Sequence, residues 1–136
     1  MRAAQPVTAV VDANRLEQVV VNLLSNAVKY GRPGTPIEVE VGWASDRSAA
    51  LIAVRDHGPG VPESARARIF DRFYQIHRDD EHHGGLGLGL YISRQIVELH
   101  GGNIRVESPA GGGARFVVTL PRGRTPARPA LEVQRA

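Results

Sequence analysis

Residues 22–31 read NLLSNAVKYG, a leucine-rich run with the spacing of a helix interior that nevertheless spends two positions on asparagine. Asn is a mediocre helix former, because its short amide competes with the backbone for hydrogen bonds. Leu16, Val20, Leu23, Leu24 and Ala27 share one broad apolar face. Asn22, Asn26, Lys29 and Tyr30 fall beside it within an arc of roughly 100°, at a step of about 100° per residue. The pattern predicts an amphipathic helix, capped by Asp12 or Asn14 and ended after Tyr30 by GRPGTP at 31–36. Two carboxamide oxygens one turn apart, with an ammonium on the next turn, suit a hard cation that carries phosphates. Taken alone, the same stripe is more often an ordinary polar helix edge.

Outward from this helix, PVTAVVD at 6–12 reads as a strand before it. IEVEVGW at 37–43 and ALIAVRD at 50–56 form a predicted antiparallel hairpin. A short helical stretch is expected from Glu63 to Ile69, then FDRFYQ, then a polar loop over 75–86. A second strong helix spans about Leu88 to Leu99, stopped by HGG at 100–102. NIRVES and ARFVVTLP make a second hairpin around PAGGG at 109–113. The order suggests an α/β two-layer sandwich, with a mixed sheet of about five strands covered on one face by about three helices. Residues 1–121 form the expected folded domain, and the Pro- and Arg-rich segment 122–136 reads as a disordered tail.

The chain has 136 residues, about one domain by the usual length prior. It holds no apolar run long enough to span a membrane, and its first twelve residues lack a secretory pattern. The absence of cysteine excludes disulfides and thiolate metal sites and fits a reducing, cytoplasmic setting. The net charge of +3 is unevenly placed: 13 basic and 13 acidic residues cancel from Met1 to Pro121, while the tail carries four Arg and one Glu. The folded part therefore shows no basic stripe with aromatic platforms, so no nucleic-acid partner is expected.

Three further stretches carry chemistry. RDHGPGVP at 55–62 follows a strand and offers a carboxylate beside glycines open to close approach, although Asp and Gly also dominate plain turns. GGLGLGL at 84–90 places glycines before a helix N-terminus, where free N–H groups and the dipole favour phosphate. It is neither a P-loop nor a dinucleotide fingerprint, and a flexible hinge is the alternative. HRDDEHH at 77–83 has the residue types of a metal site in His77, Asp79, His82 and His83, but a polar loop seldom fixes tetrahedral geometry. It reads as solvated loop.

Together, in this order, the boxes resemble the catalytic ATP-binding domain of sensor histidine kinases, within the superfamily shared with gyrase, Hsp90 and MutL. NLLSNAVKYG resembles the asparagine box, DHGPG the first glycine box, FDRFYQ the phenylalanine box and GGLGLGL the second glycine box. The match runs from about Val7 to Pro121. The resemblance implies a Bergerat-type fold holding ATP with Mg²⁺. Asn26 would be the main Mg²⁺ ligand and Asn22 its neighbour at the phosphates, with Lys29 on phosphate oxygens and Tyr30 near the adenine. Asp56 would accept the adenine amino group, with Gly58 and Gly60 letting the base approach. Gly85, Leu86, Gly87, Leu88 and Gly89 would line the phosphates and hinge a lid. Phe70 and Phe73 would anchor the lid's far end, and Arg78 would reach the γ-phosphate.

The implied activity is transfer of the γ-phosphoryl group to a histidine in two-component signalling, with a response regulator downstream. Asn22 stands where hydrolysing relatives carry a water-activating Glu, which fits transfer better than hydrolysis. The acceptor histidine of the family lies on a helical hairpin, and His57, His77, His82, His83 and His100 all sit in or beside the nucleotide boxes. The phosphoacceptor domain is therefore expected in trans or in a longer parent kinase, itself membrane-anchored or not; this chain would make no membrane contact. Ala114 departs from the Thr or Ser common at its position. The alternatives are an anti-sigma-factor-type serine kinase, against which the phenylalanine box argues, and a non-catalytic nucleotide-binding module.

Overall fold

The computed structural model describes residues 7–44, 48–74, 88–122 and 132–135. The elements run β1 (Val7–Val10), α1 (Ala13–Tyr30), β2 (Glu38–Trp43), β3 (Ala49–Arg55), a 3-10 turn (Glu63–Ala65), α2 (Gly89–Leu99), β4 (Asn103–Glu107), β5 (Arg115–Pro121) and β6 (Glu132–Arg135). Four strands form one sheet in the order β2-β3-β5-β4, and β1 pairs separately with β6. Both expected hairpins are present, β2 with β3 and β4 with β5. The central β3–β5 pairing is also antiparallel, so the described sheet is antiparallel throughout and not mixed. The expected third helix is only the 3-10 turn, and among the described residues two α-helices cover the sheet.

The tail departs from expectation. Residues 132–135 pair with β1 in the register Val7 to Arg135 through Val10 to Glu132. A disordered tail over all of 122–136 is thus not what the structure shows at β6. Backbone pairing of an otherwise open strand edge supplies what composition did not signal.

Helix α1 begins where its cap dictates. The carboxylate Oδ1 of Asp12 accepts from the backbone N–H groups of Asn14 and Arg15 at 3.0 and 3.2 Å. Its buried face is Leu16, Val19, Leu23 and Ala27, with Val20 and Leu24 at the margin. The stripe is therefore rotated slightly toward Val19 relative to the sequence reading. Helix α2 buries Ser93, Ile96 and Val97. Beneath both helices lie the inward residues of the sheet, among them Ile52, Val54, Ile104, Val106, Phe116 and Val118. Phe70 also enters this core, edge-on to Phe116 with centroids 6.2 Å apart.

The opposite face of the sheet is charged. Arg115 donates to Glu107 at 2.7 Å and, spanning β3, to Glu40 at 3.2 Å. The bond from Arg115 is the largest influence on Glu107 and holds its carboxyl below the ordinary range. These groups are partly exposed, so the pairs add little stability.

His100 joins the two helices. Its Nε2 accepts from the Asp12 backbone N–H at 3.1 Å, which leaves Nδ1 as the donor to the Ile96 carbonyl at 2.8 Å. The C-terminus of α2 is thereby tied to the cap of α1. Replacing His100 by Ala strands the Asp12 amide, and we expect a loss of about 1–2 kcal/mol in urea unfolding. An unchanged midpoint would show that water substitutes fully for the ring.

Candidate nucleotide-binding site

Asp56 follows the last residue of β3, and its backbone N–H donates to the Ala114 carbonyl at 2.9 Å, just before β5 begins. Its side chain is turned inside, only 7% of the residue being exposed. One carboxylate oxygen, Oδ1, accepts from the N–H of Gly58 at 2.8 Å and of Ala114 at 3.3 Å. No described residue donates to the other, Oδ2.

The glycines around Asp56 are required by the chain's own packing. A Cβ on Gly58 would lie 2.0 Å from the Tyr30 carbonyl oxygen, and one on Gly113 would lie 1.9 Å from the Asp56 carbonyl oxygen. A Cβ on Gly31 would stand 2.5 Å from the Ala27 carbonyl oxygen and 3.5 Å from Asp56 Cβ. Gly60 has φ +80° and faces Gly113. The C-terminal end of α1 is thus pressed directly onto the Asp56 loop, and the turn before β5 presses from the other side. The closest contacts at Gly58, Gly60 and Gly113 are all with protein backbone.

Further up α1, Asn22 is committed at its nitrogen. Nδ2 donates to the Gly89 carbonyl and to Ser93 Oγ, both at 3.2 Å. Ser93 is fully buried, so this bond satisfies a hydroxyl that would otherwise be stranded in the core. Asn22 therefore ties α1 to the first turn of α2, and its carbonyl oxygen is the part left for a ligand. Asn26, one turn along, is half-buried and its side chain makes no hydrogen bond to another described residue; Lys29 on the next turn is exposed. The predicted stripe thus runs from the start of α2 to Asp56 along one helix.

Not every expected residue joins this line. Gly89 opens α2, whose Leu88 cap carries no side-chain hydrogen bond. Phe70 is core, whereas Phe73 is 58% exposed with φ +65°, so the two phenylalanines occupy different environments. The Arg72 guanidinium lies 5.4 Å from the Phe73 ring and 6.0 Å from that of Tyr91, linking this segment to α2, as does the Arg94–Asp71 pair at 3.9 Å. Arg72 lies inside FDRFYQ but was not singled out there, and Tyr91 and Ser93 had no motif to announce them; a serine on the apolar face of α2 was the one visible signal. Arg78, Gly85, Leu86 and Gly87, with His77, Asp79, His82 and His83, lie outside the described residues.

Among the described residues no group of His, Cys, Asp or Glu could hold a metal ion. A cation here would bind through the Asn carboxamide oxygens together with oxygens of its ligand, which fits a metal carried in by phosphates. The arrangement can receive a molecule with an N–H donor at one end and a charged, metal-bearing group at the other.

Residues 11–124 match the family of histidine kinase-, DNA gyrase B- and HSP90-like ATPases, and the chain belongs to that family. It is 44% identical over 111 residues to the circadian input-output histidine kinase CikA of Synechococcus elongatus, covering 81% of this chain and 14% of that protein. It is 40% identical over 124 residues to the histidine-protein kinase AfsQ2 of Streptomyces coelicolor, covering 91% of this chain and 22% of that one. The chain thus spans less than a quarter of these relatives. Among solved structures it resembles the mycobacterial sensor histidine kinase MprB, with TM-score 0.73, 34% identity, and coverage of 83% and 74% of the two chains. It also resembles full-length ShkA in complex with AMPPNP, with TM-score 0.71, 34% identity, and coverage of 85% and 23%.

Asn22→Ala removes both bonds to α2. We expect about 1–2 kcal/mol lower stability and faster hydrogen exchange in the first turn of α2. Exchange rates there that match the parent chain would refute the tie.

Proposed function

We propose that this chain is the catalytic ATP-binding domain of a sensor histidine kinase and donates the γ-phosphoryl group of MgATP to a histidine on a separate phosphoacceptor domain. The observation that carries the reading is Asp56, a buried carboxylate with one oxygen held twice by backbone and the other open. That geometry suits the exocyclic amino group of adenine. Names and nucleotide content of the similar proteins point the same way: each relative described above is a histidine kinase, and ShkA was solved with an ATP analogue.

In this proposal the nucleotide lies along α1. Asn26 and the carbonyl oxygen of Asn22 would hold Mg²⁺, which neutralises phosphate charge when bound. Lys29 would contact phosphate oxygens, Tyr30 would pack near the base, and Gly58 and Gly60 would shape its pocket. Gly85, Leu86, Gly87, Leu88 and Gly89 would line the phosphates, with Arg78 at the γ-phosphate and Phe70 and Phe73 at the far end of the lid. The stripe Asn22, Asn26, Lys29 and Tyr30 holds no carboxylate to act as a base for water, and Asn22 is an amide already bonded through its nitrogen. The acceptor domain, in cis or in trans, and a response regulator complete the two-component system, in the cytoplasm. Among the described residues no helix is long and apolar enough to cross a membrane.

Calorimetric titration should show micromolar or weaker MgATP binding that is abolished by Asp56→Asn and strongly reduced by Asn26→Ala. Unchanged affinity in the Asp56 variant would remove the site assignment. With γ-labelled ATP, label should pass to an added phosphoacceptor domain and not to this chain; label retained on the chain alone would contradict the proposed division of labour.

A further inference from the structure

We infer that Arg55 is a positioning residue for base selectivity: it clamps the Ala110–Gly113 turn from the outer face of the sheet and so aims the Asp56 carboxylate at an amino group. This rests on the reading of Asp56 as the group that recognises the base.

The turn has little to hold it by itself. Gly111, Gly112 and Gly113 stand in succession at φ +93°, +94° and +81°. Such a run has the widest conformational freedom a chain offers, so ordering it is entropically costly. Arg55 supplies the order. Its Nη2 donates to the carbonyls of Ala110 at 3.1 Å and Gly112 at 3.3 Å. Glu38, opposite Arg55 in the β2–β3 register, lies 3.8 Å from its Nε, an ion pair without a hydrogen bond that leaves the buried Nε unbonded. The same Glu38 carboxylate bonds His57 Nε2 at 3.1 Å, so it grips the residues on both sides of Asp56.

The turn in turn sets Asp56. Ala114, the next residue, donates one of the two N–H bonds that hold Oδ1. Gly113 packs against the Asp56 carbonyl, and the Asp56 N–H donates to the Ala114 carbonyl at 2.9 Å, so the turn is bonded directly to Asp56. Arg55 contacts no ligand in this scheme. It pairs across the sheet with Glu38 and Arg115, on the face opposite the helices. Its effect must therefore reach the base through Ala114 and Asp56 alone.

The test compares MgATP with the inosine analogue MgITP, which has the same sugar and phosphates but a carbonyl in place of the amino group. Both are titrated into the 136-residue chain, Arg55→Met, Arg55→Lys and Asp56→Asn. Met keeps the aliphatic stem and removes every donor; Lys keeps one shorter donor. We expect ATP affinity to fall about tenfold in Arg55→Met, with ITP affinity unchanged and Lys intermediate. The Ala114 amide should also exchange faster in Arg55→Met. Equal losses for ATP and ITP, or no loss, would overturn the clamp while leaving the Asp56 reading intact. If Arg55→Met does not fold, Lys decides alone: an ATP-to-ITP ratio equal to that of the parent overturns the inference. A parent chain that does not distinguish ATP from ITP, or whose ratio survives Asp56→Asn, overturns the Asp56 reading and the clamp with it.

Discussion

The buried carboxylate of Asp56 is the constraint on which the surrounding structure depends. An ionisable group with so little exposure must be hydrogen-bonded, and the backbone supplies donors to only one of its oxygens. Placing those donors requires β3, the loop through Gly58 and the entry to β5 to converge within hydrogen-bond distance. The convergence leaves no room for side chains at Gly58 or Gly113. The glycines of this region are thus a consequence of packing around a carboxylate, and the open oxygen is the consequence that concerns function.

Helix α1 couples that carboxylate to the rest of the site. Its buried face joins the core, its cap is tied to α2 through His100, its middle is tied to α2 through Asn22, and its last turn rests on the Asp56 loop. One rigid element therefore sets the spacing between the adenine end and the phosphate end of the proposed nucleotide. The sheet beneath acts as a platform. Its charged outer face, with Arg115 bridging Glu107 and Glu40 and Arg55 holding the glycine turn, faces away from the helices. Asp56 is thus supported from the face opposite the helices.

Much of this was legible from residue patterns. Alternation placed both hairpins, the 3.6-residue period placed α1 and α2, and Asp12 marked the first cap. The boxes in their order indicated the family. Other features were hidden because they depend on partners. The pairing of β6 with β1 is a backbone interaction of a segment whose composition suggests no order. The similar look of Phe70 and Phe73 concealed a core residue and an exposed one with left-handed backbone. Val19 entered the apolar face of α1 because the sheet and α2, not the helix alone, set its orientation.

The sequence by itself determined that a polar stripe, a carboxylate and two sets of glycines lie at spacings suited to a phosphate-bearing ligand. Those are properties of neighbouring residues, and local propensity and periodicity express them. Which atoms remain available was decided by tertiary structure. The Asn22 nitrogen is taken by residues 67 and 71 positions away, and Asp56 Oδ1 by an amide 58 positions away. Hydrogen bonds over such separations exist only once the sheet and helices have packed. They leave one oxygen on Asn22 and one on Asp56 to face whatever binds.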